Sequence, residues 1–448
     1  MEEDRGKSQT VVSIQRRSSS SITTKVLIVF LAGTAIREFF APFTGHPFDF
    51  ELWIRLGFYT AQGIDPYRIS PPVPGLSFPD AAYMPSIGYP PVWPFILAGI
   101  YKIFASIGIS SRFFYYFLLK QPMIIGDLVV AALIYKILWP KTQTGALKAA
   151  AFWLLCPFTI IISSVWGMFD QLVLVFVLLA ILSLSKTKTS SVSESIGFLL
   201  KGIPLIYLPV FAFVQKSKIK IIEYIAIPAV LGLVFIFLPY LIFPGWNLSA
   251  LFGTGNAVLH TVGGSMNYLG MIRLIGDNVN YPPWAYSVIL VISYVWVPSL
   301  LITSYYCVKI IRKTGITQES VILSMTIVTL VFFLTRIQIN EQYQIYFLAL
   351  ALISGYWTGS LKRIKLFYGI WLSTLGFLIA NNSFLVRFLD PVSDYYNQLD
   401  NLLDVGVSGE VRLVIMIITS ISFSIFCLFY LRSALSELKD YKAAIVQA

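Results

Sequence analysis

Residues 166–185 read WGMFDQLVLVFVLLAILSLS, and from 168 to 185 the only charge is Asp170. Eighteen residues of helix rise about 27 Å, close to the ~30 Å of bilayer hydrocarbon. No soluble helix gains from being apolar on every face, so the stretch predicts a buried or membrane-spanning helix that opens on a carboxylate. Comparable runs lie at 22–42, 113–138, 146–165, 221–243, 284–310, 319–337, 342–358, 364–382 and 411–432. The pattern predicts an all-α polytopic membrane protein of about ten transmembrane helices.

Composition agrees. Hydrophobic residues make up 57% and charged residues 12%, about half the ~25% charge of a soluble domain, and mean hydropathy is +0.75. The net charge of +11 could suit nucleic acid, but its distribution excludes that partner. The basic residues cluster between apolar runs, at Lys136/Lys141/Lys148, Lys186/Lys188, Lys216/Lys218/Lys220, Lys309/Arg312/Lys313 and Lys362/Arg363/Lys365. Such clusters mark cytoplasmic loops, and membrane lipid is the implied surroundings. All five share one side only if neither 91–108 nor 195–214 crosses once. The first is therefore expected as an interfacial helix in a long outer loop, 43–112. The second, broken by Gly202 and Pro204, is expected as a re-entrant hairpin. Residues 1–21 read as a disordered cytoplasmic tail, 22–358 as the main membrane module, 359–432 as C-terminal helices with an outer loop at 383–410, and 433–448 as a second cytoplasmic tail. Cys156, Cys307 and Cys427 each fall in an apolar run, which implies no disulfide framework.

Ionisable groups at membrane edges are costly and are functional candidates by default. On this topology they gather on the outer side. Asp49 and Glu51 lie in HPFDFELW (46–53), Asp65 in GIDPY (63–67), and Lys120 and Asp127 begin the second span. Asp170 opens the quoted stretch, Lys201 sits at the hairpin bend, and Arg336, Glu341 and Tyr343 share the turn TRIQINEQY (335–343). Aromatic surroundings would raise the pKa of Asp49 and make it a usable proton acceptor. Each residue also has a plainer reading. A loop carboxylate is more often a solvated charge, Lys120 and Asp127 can neutralise each other across two turns, and Asp170 serves equally as a helix N-cap. Arg336 can snorkel to the interface. Tyr89-Pro90-Pro91 and Trp93-Pro94 fix an extended entry to the interfacial helix, which would hold the long loop over a site. His46 and His260 are the only histidines, and a lone loop histidine is usually surface. The acids of 383–410 read as a solvated face.

The ordered set DFELW, GIDPY, YPPVWP, KQPMIIGDLVVAALIY, WGMFDQLVLVFVLLA, KGIPLIYLP and RIQINEQYQIYFLAL resembles the integral-membrane glycosyltransferases of the C type. It looks closest to the mannosyl- or glucosyltransferases that use a dolichyl- or polyprenyl-phosphate sugar, over about 25–360. The resemblance implies an inverting transfer of a hexose to a lipid-linked or glycan acceptor. It assigns Asp49 as catalytic base, with Glu51 as second acid. Arg336, Lys201 and Lys120 would hold the donor phosphate, whose developing charge needs cations. Asp65, Tyr89, Asp127, Asp170, Glu341 and Tyr343 would contact substrate. The late turn departs from the family pattern: Asn340 and Gln342 stand where His and Arg are usual. No cofactor is expected, although Asp49 and Glu51 could pair on a divalent metal. The active face would be extracytoplasmic, in a prokaryotic plasma membrane or the endoplasmic reticulum. Rival readings are a transporter or lipid flippase, in which the acids couple to ions, and a non-catalytic subunit that keeps the fold.

Overall fold

The computed structural model describes residues 24–78, 81–84, 89–247, 265–272, 282–292, 294–392, 402–403 and 407–446. The expected tail at 1–21, most of 244–283 and most of 393–406 lie outside them. The described residues are helical throughout, with no strand beyond one isolated bridge between Ser70 and Met84. Helix α1 spans 24–40, followed by α2 (Asp49–Ala61), α3 (Val92–Ile107), α4 (Arg112–Leu138), α5 (Gln143–Leu155) and α6 (Pro157–Ile160). Next come α7 (Asp170–Leu182), α8 (Thr187–Leu200), α9 (Leu208–Phe213) and α10 (Lys218–Ile242). The chain closes with α11 (Pro283–Ile292), α12 (Trp296–Thr314), α13 (Gln318–Thr335), α14 (Gln344–Thr358), α15 (Leu361–Asn381) and α16 (Val407–Val446).

Among the described residues five helices are long and apolar enough to cross a membrane: Arg112–Leu138, Lys218–Ile242, Gln318–Thr335, Arg363–Asn381 and Gly409–Asp440. A sixth is counted if Gln143–Leu155 and Pro157–Trp166, bent by 48°, form one span. The other four expected runs give shorter or divided helices. Residues 168–185 begin helix only at Asp170, 342–358 only at Gln344, and 284–310 is split between α11 and α12. The shortening has a physical cause. Residues 167–169 and 336–340 leave the helix just before the buried carboxylates Asp170 and Glu341, inside the bundle, where protein rather than lipid satisfies the backbone.

The segment around 195–214 does run out and back. Helix α8 climbs beside α7, breaks at Lys201–Gly202, turns through Ile203–Ile206 and returns as α9. Its two feet are tied where Thr187 Oγ1 donates to Gln215 Oε1 at 2.9 Å, while Lys201 at the bend reaches Asp170 at the start of α7. The long first loop carries two helices, α2 and α3, which pack as a pair beside the start of α4. The last run continues as helix to Val446, through the stretch expected as a tail. The bundle thus has a lysine-rich end, where α7 hands over to α8, and an opposite end that collects the candidate carboxylates.

Candidate functional site

The turn Trp166–Asp170 builds the centre of this opposite end. A π-helical turn, Ile161–Trp166, stops at Gly167, whose φ of +87° is open to glycine but costly for other residues. A Cβ there would also lie 2.5 Å from Phe50 Cδ2. This close approach lets Gly167 O accept from Trp53 Nε1 at 2.9 Å, and lets Trp166 Nε1 donate to Asp49 Oδ2 at 2.9 Å. His46 stacks on Trp166 at 4.7 Å and lies 3.5 Å from Asp49 Oδ2. That last contact is no ion pair. His46 Nδ1 already accepts the Phe48 and Asp49 backbone N–H groups, and burial lowers the pKa of the ring despite the nearby Asp49 charge. The imidazole beside Asp49 is therefore neutral. The Asp49 side chain is 14% exposed, and its Oδ1 has no partner among the described residues.

A second group surrounds Lys201. Its ammonium bonds both oxygens of Asp170 at 2.9 and 2.8 Å, and Tyr346 donates to Asp170 Oδ1 at 3.2 Å. The rings of Tyr89, Phe169 and Tyr343 enclose it at 5.2 to 5.7 Å. Tyr343 is shared, because the Arg336 guanidinium lies 5.8 Å from the same ring and over Trp296 and Phe332. Unlike Lys201, Arg336 has no carboxylate partner among the described residues. The charge of Asp49 acts on Tyr89, Asp170 and Glu341, which ties the two groups into one electrostatic neighbourhood. Asp49, Tyr89, Asp170, Lys201, Arg336, Glu341 and Tyr343 are thus brought together.

Four predicted residues are held by partners of their own. Glu51 is sealed: Oε1 accepts from Arg55 Nε at 2.6 Å and Ser77 Oγ at 2.5 Å, and Oε2 from the Phe78 N–H at 3.0 Å. Arg55 goes on to Ser70 O and Ala82 O, so this pair staples the first loop rather than joining Asp49 on a metal. Two residues apart on a helix, the side chains of Asp49 and Glu51 diverge. Among the described residues no three His, Cys, Asp or Glu side chains are grouped to hold a metal. Asp65 accepts from the Tyr67 and Asn247 N–H groups and ties its turn to the segment that follows α10. Lys120 and Asp127 do not neutralise each other. Lys120 is capped by Thr44 O, Thr44 Oγ1 and Ser164 O, and Asp127 pairs with Arg37 at 2.8 Å.

Several neighbours escaped the sequence reading. His46 is no surface histidine. Arg387, in the 3-10 segment Ser383–Val392, acts electrostatically on His46, and Phe388 packs on both His46 and Trp166. Three left-handed non-glycine residues, Ser383, Phe384 and Leu385, precede the part of that segment that packs on His46 and Trp166, a costly backbone that functional sites often hold. Gln171, Gln342 and Gln344 are buried with amide atoms lacking partners among the described residues, next in sequence to Asp170 and Tyr343.

Glu341 offers a direct electrostatic test. Burial raises its pKa to about 7, against the hydrogen bond from Asn381 and with the help of Asp49. The folded protein then holds a proton that the unfolded chain releases above about 4.5, so this group's contribution to stability falls as pH rises from there to about 7. Glu341→Gln should leave the melting temperature nearly unchanged at pH 4 and raise it relative to wild type at pH 8. Equal shifts at both pH values would mean that Glu341 is ionised in the fold.

The assembly can accept a proton at Asp49 Oδ1, hold an anion at Arg336, and bond hydroxyl groups at the unpaired amides. No protein-family model matches the chain, and no curated protein matches it.

Proposed function

We propose that this end of the bundle transfers a hexose, mannose or glucose, from a polyprenyl- or dolichyl-phosphate donor to a lipid-linked or glycan acceptor on the extracytoplasmic side. Asp49 takes the proton of the acceptor hydroxyl as the anomeric carbon is attacked with inversion. The donor phosphate leaves toward Arg336. In this reading all ten apolar runs belong to the membrane, the short ones completed by the polar turns that form the site.

The observation that carries the reading is that two groups of opposite sign, neither with an ion-pair partner of opposite charge among the described residues, border the same cluster of side chains. Among the described residues Asp49 has a free oxygen and Arg336 has no carboxylate, and the 336–343 turn links their surroundings through Glu341 and Tyr343. Arg336 is favoured over Lys201, which Asp170 neutralises, and over Lys120, which Thr44 and Ser164 seal. Buried amides without partners cost about 1–3 kcal/mol each, and sugar hydroxyls would repay that cost. Gln171, Gln342 and Gln344 are thus proposed as sugar contacts. Proteoliposomes loaded with polyprenyl-phosphate mannose or glucose and glycan acceptors test the reading by release of polyprenyl phosphate. Solute uptake without sugar transfer would replace it with the transporter reading.

Arg336→Ala is expected to weaken donor binding roughly tenfold, because losing a charged partner at a low-dielectric edge costs at least ~1.4 kcal/mol. Arg336→Lys should recover only part, since an ammonium lacks the planar fork. Arg68→Ala, an exposed change in the first loop, serves as the neutral control. Equal small effects at Arg336 and Arg68 would place the phosphate elsewhere.

A further inference from the structure

The lysine-rich end holds a cavity of about 310 Å³ at the feet of the α8–α9 hairpin, within the size range of small-ligand sites. Two lysines, Lys216 and Lys220, line it together with Ser185, Thr187, Gln215 and Gln318. No acidic residue lines it among the described residues. The nearest acids in sequence are engaged outward: Glu319 faces Lys141 at 3.9 Å and Glu223 faces Lys188 at 3.5 Å. Neither Lys216 nor Lys220 has a carboxylate partner among the described residues, although lysines close by in sequence do. Both lysines therefore bring uncompensated positive charge to the cavity.

The walls are fixed. Thr187 and Gln215 hold each other across the hairpin feet, and Arg312 donates to Phe213 O and Gln215 O from α12. The N-terminus of α8, fourteen residues long, opens here without a side-chain cap, so its free N–H groups add positive potential to that of the lysines. Leu184, Val214 and Ile316 supply an apolar side. A phosphate group matches this set: it carries the charge the lysines lack and acceptor oxygens for the hydroxyl, amide and backbone donors.

We infer that the cavity is a phosphate-binding site, separate from the Asp49 end and independent of any transfer reaction there. The phosphate comes from an anionic lipid headgroup, whose chains would follow the apolar wall into the membrane, or from a free phosphate in solution. The test uses the full-length protein in detergent micelles at constant ionic strength, reading melting temperature against added phosphate. The probes are inorganic phosphate, and mixed micelles containing phosphatidic acid or phosphatidylcholine. A rise with phosphatidic acid alone assigns a lipid headgroup, and a rise with inorganic phosphate assigns a free anion. In either case Lys216→Gln/Lys220→Gln should raise the half-saturating concentration roughly tenfold. Lys218→Gln/Lys313→Gln, which removes the same charge outside the cavity, should leave it unchanged. No rise with either anionic probe, an equal rise with phosphatidylcholine, or equal weakening in both double variants would overturn the assignment.

Discussion

Asp127→Ala should destabilise the bundle by about 3–5 kcal/mol, the usual cost of leaving one charge of a buried pair without its partner. Arg37 and Asp127 are both fully buried, with Arg37 Nε 2.8 Å from Asp127 Oδ2. The rest of the guanidinium donates to Gly33 O, Leu154 O and Thr159 Oγ1, and Trp153 Nε1 fills the other Asp127 oxygen. Nothing in this network is open to exchange the lost carboxylate for water. Thermal unfolding in detergent would register the loss as a large fall in melting temperature. The paired replacement Arg37→Met/Asp127→Leu should recover most of it, because apolar isosteres of a buried pair are often as stable. A loss below about 1 kcal/mol in Asp127→Ala would mean that water reaches the pair. The same variants judge the substrate role assigned to Asp127. A structural pair changes stability first, whereas a substrate contact would change donor affinity in the isosteric Asp127→Asn with the fold intact.

That ion pair also shows where reading the sequence runs out. Hydropathy made the helices legible, and Gly202 with Pro204 marked the bend beneath Lys201, because both signals are local. Arg37 lies inside the run 22–42 and its partner ninety positions away, a pairing that no local pattern encodes. Glu51 drew attention by its spacing from Asp49, yet its partners Arg55, Ser77 and Phe78 come from the fold of the first loop. Spacing announces that two acids are near in sequence, but the helix turns them apart. The short helices follow from the same limit. Hydropathy extends 168–185 to its full length, while the polar demands of Asp170, Lys201 and Tyr346 decide where helix begins. His46 reads as surface because loop residues usually are, whereas the segment folded back over Trp166 helps to cover the imidazole.

Asp49→Asn should lower turnover at least ~10²-fold, the lower range for loss of a general base, while donor binding survives. The change is nearly isosteric. The asparagine Oδ1 can still accept from Trp166 Nε1, so the turn that places it is kept, and only the proton acceptor is removed. Glu51→Gln is the instructive comparison, because it too exchanges a carboxylate for an amide in the same helix. It breaks the charged link to Arg55 and should lower the melting temperature with a much smaller effect on the turnover of folded enzyme. The two variants thus separate a proton acceptor with one free oxygen from a carboxylate consumed by the loop. A Glu51→Gln that is folded and nearly dead, beside an active Asp49→Asn, would exchange their roles and require the first loop to open during the reaction. Full activity in both would leave the Asp49 end without a base, and the transferase proposal would fall with it. Asp49→Glu supplies the remaining distinction: it restores the acid one methylene further out. Partial recovery there, with none from Asn, would tie the loss to the missing proton acceptor rather than to a disturbed Trp166 contact.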